Sequence, residues 1–458
     1  MGFKKIIFLT AAAVCLLLGT DAAAQASDIP DISILVQGYE WGPGVPKIIL
    51  ELSQPAQEIH GEEITVTTAG KPRTVQDVYL CDENGARTDA PSGYAAVELK
   101  TTAQESGSPF TYNRSVRMNE WSEAYEVTVS SPAFTIDGMT APLSLSQDCI
   151  DDRICPDTEK FQTRREFRGL YENPATHGQE ELTLRTAAYE PEQISGGEKN
   201  PLIIWLHGQG EGGRDVDIAL LGNEVCALAR DEIQSYFTAG SETGSYVLAV
   251  QCETYWMDEG DGQNGRGYGA SRYTRILMDT IADYVRSNPD IDTNRIYLGG
   301  CSNGGYMTVH MLTTYPDYFA AGYPVCEAYA FDRDFGKDAQ ILKDIPLWFT
   351  LSADDAVVDP KAYTLPSYRA LLQAGAENAW LSLFRTVNGS DSPGTRYYGH
   401  FSWIYVLNNQ VTGVQDRERI AASTDSETFG AVPSNTGGGS LAAGEYDNLF
   451  AWLNAQSK

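Results

Sequence analysis

The chain has 458 residues, room for roughly two to three domains, and its 42% hydrophobic and 21% charged content is ordinary globular usage that excludes a disordered or collagen-like protein. Acidic side chains outnumber basic ones 62 to 33, for a net charge of −29. Such a surface repels phosphate backbones and anionic lipid, which argues against nucleic-acid and membrane partners.

The N-terminus reads as a secretory signal. Lys4 and Lys5 precede an apolar run from Ile6 to Leu18, and Ala24-Gln25-Ala26 supplies a small-x-small cleavage pattern. Export, to the periplasm or beyond the cell, is expected, with residues 1–26 removed. Cys15 lies in that signal, so seven of the eight cysteines follow it, and an odd number leaves at least one unpaired. Cys149 and Cys155 bracket an acidic loop and are the pair placed to close it. There is no CxxC or HExxH spacing, and the chain has only five histidines, so neither a metal nor another cofactor is expected.

From Ile32 to about Ile136, short β-rich runs such as Lys47–Leu52, Glu63–Thr68 and Ala95–Lys100 alternate with turn signals, including Gly42-Pro43-Gly44 and Glu83-Asn84-Gly85. This pattern predicts an all-β sandwich over residues 27–150. Beyond Phe167 the texture changes. Leu202–Leu206, Tyr246–Val250 and Ile345–Leu351 are unbroken apolar runs, as strands buried on both faces of a parallel sheet require. Amphipathic stretches at Ser271–Val285 and Tyr363–Ala374 lie between them, so residues 151–458 are expected to form an α/β domain. Gln410–Glu445 reads as a long surface loop before a last helix at Tyr446–Ala455.

The chemistry concentrates at Gly300-Cys301-Ser302-Asn303-Gly304, a G-x-S-x-G between a predicted strand ending at Gly299 and a helix starting at Gly304. A strand-to-helix turn this tight needs glycine two residues either side of the serine, because side chains there would clash with neighbouring backbone. The turn exposes the hydroxyl at a helix N-terminus, whose dipole favours a developing oxyanion. Upstream, the strand Leu202–Leu206 runs into His207-Gly208-Gln209-Gly210-Glu211-Gly212-Gly213. Glycines after a buried strand let N–H groups turn toward a reacting carbonyl, so the oxyanion hole is assigned to the amides of Gln209 and Asn303. His207 reads as a brace for that loop.

The serine needs a base. His60 lies in the β region, His177 precedes the sheet, and His310 sits on the apolar face of the helix after Ser302. His400 remains, in the position that the chain order Ser…Asp…His requires. For the acid, Asp354, Asp355 and Asp359 compete after Leu347–Leu351; Asp355 is preferred, and the losers are expected to be solvated loop carboxylates or a helix cap.

The segments Tyr297–Met307, Trp348–Pro360 and Gly399–Trp403 together resemble the exported α/β-hydrolases of the prolyl-oligopeptidase-like peptidase and carboxylesterase group, akin to poly(hydroxyalkanoate) depolymerase-type and feruloyl-type esterases. The resemblance implies an α/β-hydrolase fold, with a mostly parallel sheet and helices on both faces. It aligns the family's aspartate with Asp355; the family's preceding His-Gly pair is absent and Asp359 is added, which leaves Asp354 open. The opening Val36–Pro43 resembles the immunoglobulin-like N-terminal domain of a bacterial esterase subgroup. The expected activity is ester hydrolysis through an acyl-enzyme; the alternatives are a serine peptidase with the same triad and a non-catalytic binding protein on the same fold. The expected substrate is a small-molecule or polysaccharide-linked ester, with Tyr255, Trp256 and Tyr268 as candidate pocket residues and Thr386–Tyr398 as a rim. Trp41 either fills the sandwich core or marks a contact, beside the active-site mouth or in a homo-oligomer.

Overall fold

The computed structural model describes residues 29, 31–192, 199–238, 243–268, 270–331, 336–439, 443–444 and 446–458. The expected signal, residues 1–26, lies outside them. Contacts divide the chain into two units, the first comprising residues up to Ile34, Lys47–Leu99 and Tyr125–Asp152, the second Leu35–Pro46, Lys100–Ala124 and Arg153–Lys458. The single boundary expected near residue 150 is therefore one of several crossings. Strands Asp31–Tyr39 and Gly42–Ala56 have 9 and 15 residues, and the end that joins them, with Glu40 and Trp41, is counted with the second unit.

The first unit is a β-sandwich. Gly42–Ala56, Ser92–Leu99 and Val75–Cys81 pair antiparallel in one sheet. In the other, Glu126–Ile136 pairs antiparallel with Met139–Asp148, Thr65–Thr68 and Ile59–Glu62. Along Glu126–Ile136, buried Val127 and Val129 alternate with more exposed neighbours, the period of two that puts one face in the core. Cys149 and Cys155 are both free and buried, as are the other five cysteines described, so the expected closure of the acidic loop does not occur.

In the second unit we number the strands of an eight-stranded sheet in chain order: β1 Thr163–Glu172, β2 Gln179–Tyr189, β3 Asn200–Leu206, β4 Tyr246–Cys252, β5 Ile291–Cys301, β6 Ala321–Val325, β7 Leu347–Ser352 and β8 Ala379–Phe384. Their spatial order is β1-β2-β4-β3-β5-β6-β7-β8. The β1–β2 and β2–β4 pairs are antiparallel and the rest are parallel. Every residue of β3, β4, β6 and β7 is buried, because helices and loops cover both faces. One apolar cluster holds Leu202, Ile204, Leu298 and Leu312; another holds Ile203, Trp205, Tyr297 and Trp452. Neighbouring side chains of one strand thus point to opposite layers.

The stretch read as a surface loop, 410–445, is tied to the sheet edge. Gln415 and Ser434 donate backbone N–H groups to Leu381 and Leu383 of β8, and Leu383 donates to Gly437. An otherwise open edge strand is thereby covered. The last helix is shorter than expected, Leu449–Asn454. Among the described residues no helix is long and apolar enough to cross a membrane.

Candidate active site

Ser302 sits between β5 and the helix Asn303–Thr314 with φ 55° and ψ −112°, a conformation that non-glycine residues rarely adopt. Its N–H donates to the Val325 carbonyl at 2.9 Å, which secures the turn. The flanking glycines meet the steric requirement read from the motif. A Cβ on Gly300 would lie 2.4 Å from the Leu206 carbonyl oxygen, and one on Gly304 would lie 2.0 Å from it.

His400, in a short 3-10 turn at Gly399–Phe401, lies between the other two residues. Its Nε2 is 2.8 Å from Ser302 Oγ and its Nδ1 is 2.7 Å from Asp355 Oδ2. The other carboxylate oxygen of Asp355 accepts from the N–H groups of Val357 and Val358 at 2.8 and 2.9 Å, which fixes the carboxylate toward the imidazole. The competing carboxylates are engaged elsewhere. Asp354 pairs with Arg396 at 2.8 Å and accepts from the Ser352 hydroxyl at 2.6 Å, whereas Asp359 accepts from the Lys361 N–H at 3.0 Å. Glycine at 399 is required too, since a Cβ there would meet the Asp354 backbone at 2.5 Å.

Beside the serine, Gln209 begins a 3-10 turn directly after the β3 loop. Among the described residues the backbone N–H groups of Gln209 and Asn303 have no backbone acceptor. His207 is buried, and burial lowers its pKa to about 4. Its Nε2 accepts from the Cys252 N–H at 3.2 Å, so the neutral ring carries its proton on Nδ1 and donates to the Gly208 carbonyl at 2.6 Å. It is a loop brace. His310 stacks on Tyr306 and bonds the Thr274 hydroxyl at 2.9 Å; burial lowers its pKa to about 4 as well.

The serine and the imidazole line a cavity of about 370 Å³, within the size range of small-ligand pockets. Its wall includes Trp41, Tyr112, Asn119, Val357, Phe401 and Trp403. The candidate pocket residues Tyr255, Trp256 and Tyr268 are absent from that lining. Trp256 is fully buried, packed on His207 and Tyr273 with ring centroids 5.1 and 5.8 Å apart. The Tyr255 hydroxyl donates to the Val116 carbonyl, and Tyr268 is 71% exposed. Trp256 thus belongs to the core, and Tyr268 faces solvent.

The wall is held by residues that sequence reading missed. Glu40, 1% exposed, accepts from the N–H groups of Ser390, Asp391 and Ser392 at 2.8–3.3 Å, from the Tyr397 hydroxyl at 2.7 Å and from Asn408 Nδ2 at 2.9 Å. Thus Glu40 organises the short ladder Val387–Asn388 with Arg396–Tyr397 that precedes His400. Trp41 stacks on Tyr39, centroids 4.7 Å apart. The hairpin Phe110–Asn113 with Met118–Trp121 is tied down by Trp121 Nε1 to Asp215 at 2.8 Å and by Asn119 Nδ2 to Glu211 at 3.3 Å. The glycine signals around Trp41 leave it either in the sandwich core or at a contact; the structure places it in the wall of the cavity that holds Ser302 and His400.

Comparison with known proteins matches residues 31–142 to the esterase Ig-like N-terminal domain and residues 277–350, which contain Ser302, to the prolyl oligopeptidase family. Poly(3-hydroxyalkanoate) depolymerase C of Paucimonas lemoignei is 36% identical over 133 residues; the match covers 27% of this chain and 27% of that protein's length. The crystal structure of a thermostable esterase shares the fold, with a TM-score of 0.64 at 22% identity, covering 83% of this chain and 96% of that one. The sheet order, the strained serine turn and the shared architecture together give the second unit an α/β-hydrolase fold, preceded by a stretch that matches the esterase Ig-like N-terminal domain.

Proposed function

We propose that the protein is a serine carboxylesterase. The observation that carries this reading is the single imidazole, His400, bonded on one side to Ser302 Oγ and on the other to Asp355. Ser302 Oγ attacks the ester carbonyl carbon while His400 Nε2 takes its proton. Asp355 holds the imidazole in the tautomer with Nδ1–H and stabilises the imidazolium. The carbonyl oxygen becomes an oxyanion, which the N–H groups of Gln209 and Asn303 receive. Collapse of the tetrahedral intermediate expels the alcohol, protonated by His400, and leaves the acyl group on Ser302. Water, deprotonated by the same imidazole, then releases the acid and restores the serine.

The aromatic wall of Trp41, Tyr112, Phe401 and Trp403 supports an apolar or ring-bearing group beside the scissile ester. The match of residues 277–350 to the prolyl oligopeptidase family favours a second reading, cleavage of peptides by the same triad. A panel of p-nitrophenyl esters, acetylated and aryl-acylated sugars and peptide anilides separates the two. Ester turnover lost in Ser302→Ala, with the anilides untouched, supports the esterase; anilide turnover at a comparable kcat/KM supports the peptidase. No turnover of either, with a well-folded protein, returns the non-catalytic reading.

Export, with cleavage after Ala26, is part of the proposal and rests on the pattern from Lys4 to Ala26. Its test is the N-terminal sequence of protein recovered outside the cytoplasm. Self-association through the first unit is tested by the mass of the full chain in solution.

A further inference from the structure

Behind the two amides assigned to the oxyanion hole runs a chain of side-chain amides whose direction is set by one backbone group. The Met257 N–H can only donate, and it meets Asn303 Oδ1 at 3.2 Å. Asn303 therefore has its Nδ2 free to donate to Asn264 Oδ1, at 2.6 Å. Asn264 in turn donates from Nδ2 to Gln209 Oε1 at 3.1 Å. The Gly265 N–H bonds the Met257 carbonyl at 2.9 Å and closes the circuit. The orientation of all three amides thus follows from a single donor whose role is unambiguous. Asn264 lies in the loop after β4, whereas Gln209 follows β3 and Asn303 follows β5. It bonds both residues of the hole and is not part of the cavity lining.

We propose that Asn264 is a positioning residue for the oxyanion hole, a cross-link that holds the Gln209 and Asn303 main chains at a fixed separation while charge develops on the carbonyl oxygen. It acts without touching the substrate. The assignment rests on the esterase reading above. Oxyanion donors are effective because they are aimed before the charge appears, and losing one donor outright lowers kcat by about 10² to 10³. Loosening two donors without removing either costs a smaller factor, about 10- to 100-fold in kcat, with little change in KM because the ground-state carbonyl makes weaker use of the hole.

The test uses the full chain, a p-nitrophenyl ester as substrate and an aryl trifluoromethyl ketone as the probe of the hole. Ser302 Oγ adds to the ketone carbon, the C=O π pair becomes a hemiketal oxyanion, and the hydroxyl proton passes to His400. In Asn264→Ala, kcat is expected to fall about 10- to 100-fold, the inhibition constant of the ketone to rise by the same factor, and KM to stay within about twofold. Asn264→Asp separates positioning from general stability. Gln209 Nε2, buried and without a partner among the described residues, can swing round to donate to the new carboxylate, so the melting temperature holds. The added negative charge opposes the oxyanion, and kcat and ketone affinity still fall together. The proposal is overturned if both quantities stay within about twofold of wild type in either soluble variant, or if kcat falls while ketone affinity does not. A wild-type chain inert to both the esters and the ketone overturns the esterase reading, and this assignment with it.

Discussion

Two parts of the cavity lining are built on different length scales. The turn from Gly300 to Gly304 occupies five consecutive residues, and its geometry follows from local sterics: a Cβ at either glycine would collide with the Leu206 carbonyl. The wall around it draws on Trp41, Tyr112, Asn119, Phe401 and Trp403, three segments far apart in the chain. It is held by Glu40 and by the ties of the Phe110–Trp121 hairpin. The difference teaches that the turn carrying the candidate nucleophile is specified by neighbours in sequence, whereas the cavity wall around it is specified by neighbours in space.

That contrast can be broken at its local end first. Ser302→Ala is expected to lower kcat by a factor on the order of 10⁶ with the fold intact, because triad members act as a unit; retention of even a few per cent of activity contradicts the assignment. His400→Ala should match it, and Asp355→Asn should lose about 10⁴ through the wrong imidazole tautomer. Ser302→Gly is equally inactive, yet it relieves a backbone conformation that costs about 1–3 kcal/mol, so its melting temperature should rise above that of Ser302→Ala.

The distant wall should respond differently. Trp41→Ala removes an aromatic surface beside the serine without touching the triad. For esters with a ring or long chain, kcat/KM should fall about 10-fold, which is about 1.4 kcal/mol. For acetyl esters, kcat should stay within about threefold. Equal losses for both substrates would mean that the tryptophan supports the fold rather than the pocket. Glu40→Ala strips the acceptor from three backbone amides and should destabilise by about 2–4 kcal/mol, read as a lower melting temperature with slower turnover, because the ladder before His400 loosens.

The smallest effect concerns pH. Burial raises the carboxylic acids of Glu211 and Glu327 from 4.5 to about 7 and that of Glu224 to about 8. In the window between 4.5 and 7 the folded chain keeps these protons while the unfolded chain releases them. Folding therefore takes up protons there, so stability is fully present below that window and declines as pH rises through it. A tenfold difference in proton affinity between the folded and unfolded chain is worth about 1.4 kcal/mol, so Glu211→Gln should reduce the drop in melting temperature between pH 5 and 8 by a few degrees. An unchanged drop would show that Glu211 is ionised in the fold throughout.

Much of the second unit is readable because its signals are local. LIIWL at β3 and YVLAV at β4 are apolar on both faces, a texture that only a strand with layers on each side tolerates. His310 and His207 are legible as structural from their positions on an apolar helix face and in a glycine loop. The aromatic cluster Tyr255–Met257 misleads, because aromatic residues in a glycine-rich loop satisfy a pocket and a core equally well; the packing of Trp256 on His207 decides it. The 410–445 segment resembles a loop because its bonds to β8 are carried by backbone groups, which leave no periodic trace in side chains.

The chain alone singled out Ser302 as candidate nucleophile, His400 as candidate base and the strand–turn–helix that presents the serine, since each rests on residue types whose conformational or chemical options are few. The choice among Asp354, Asp355 and Asp359 needed coordinates: three carboxylates within six residues have the same chemistry, and only their directions differ. The same holds for Asn264 and Glu40. A polar residue in a loop has a function only through what lies opposite it, and that is decided when β3, β4, β5 and the distant hairpins come together.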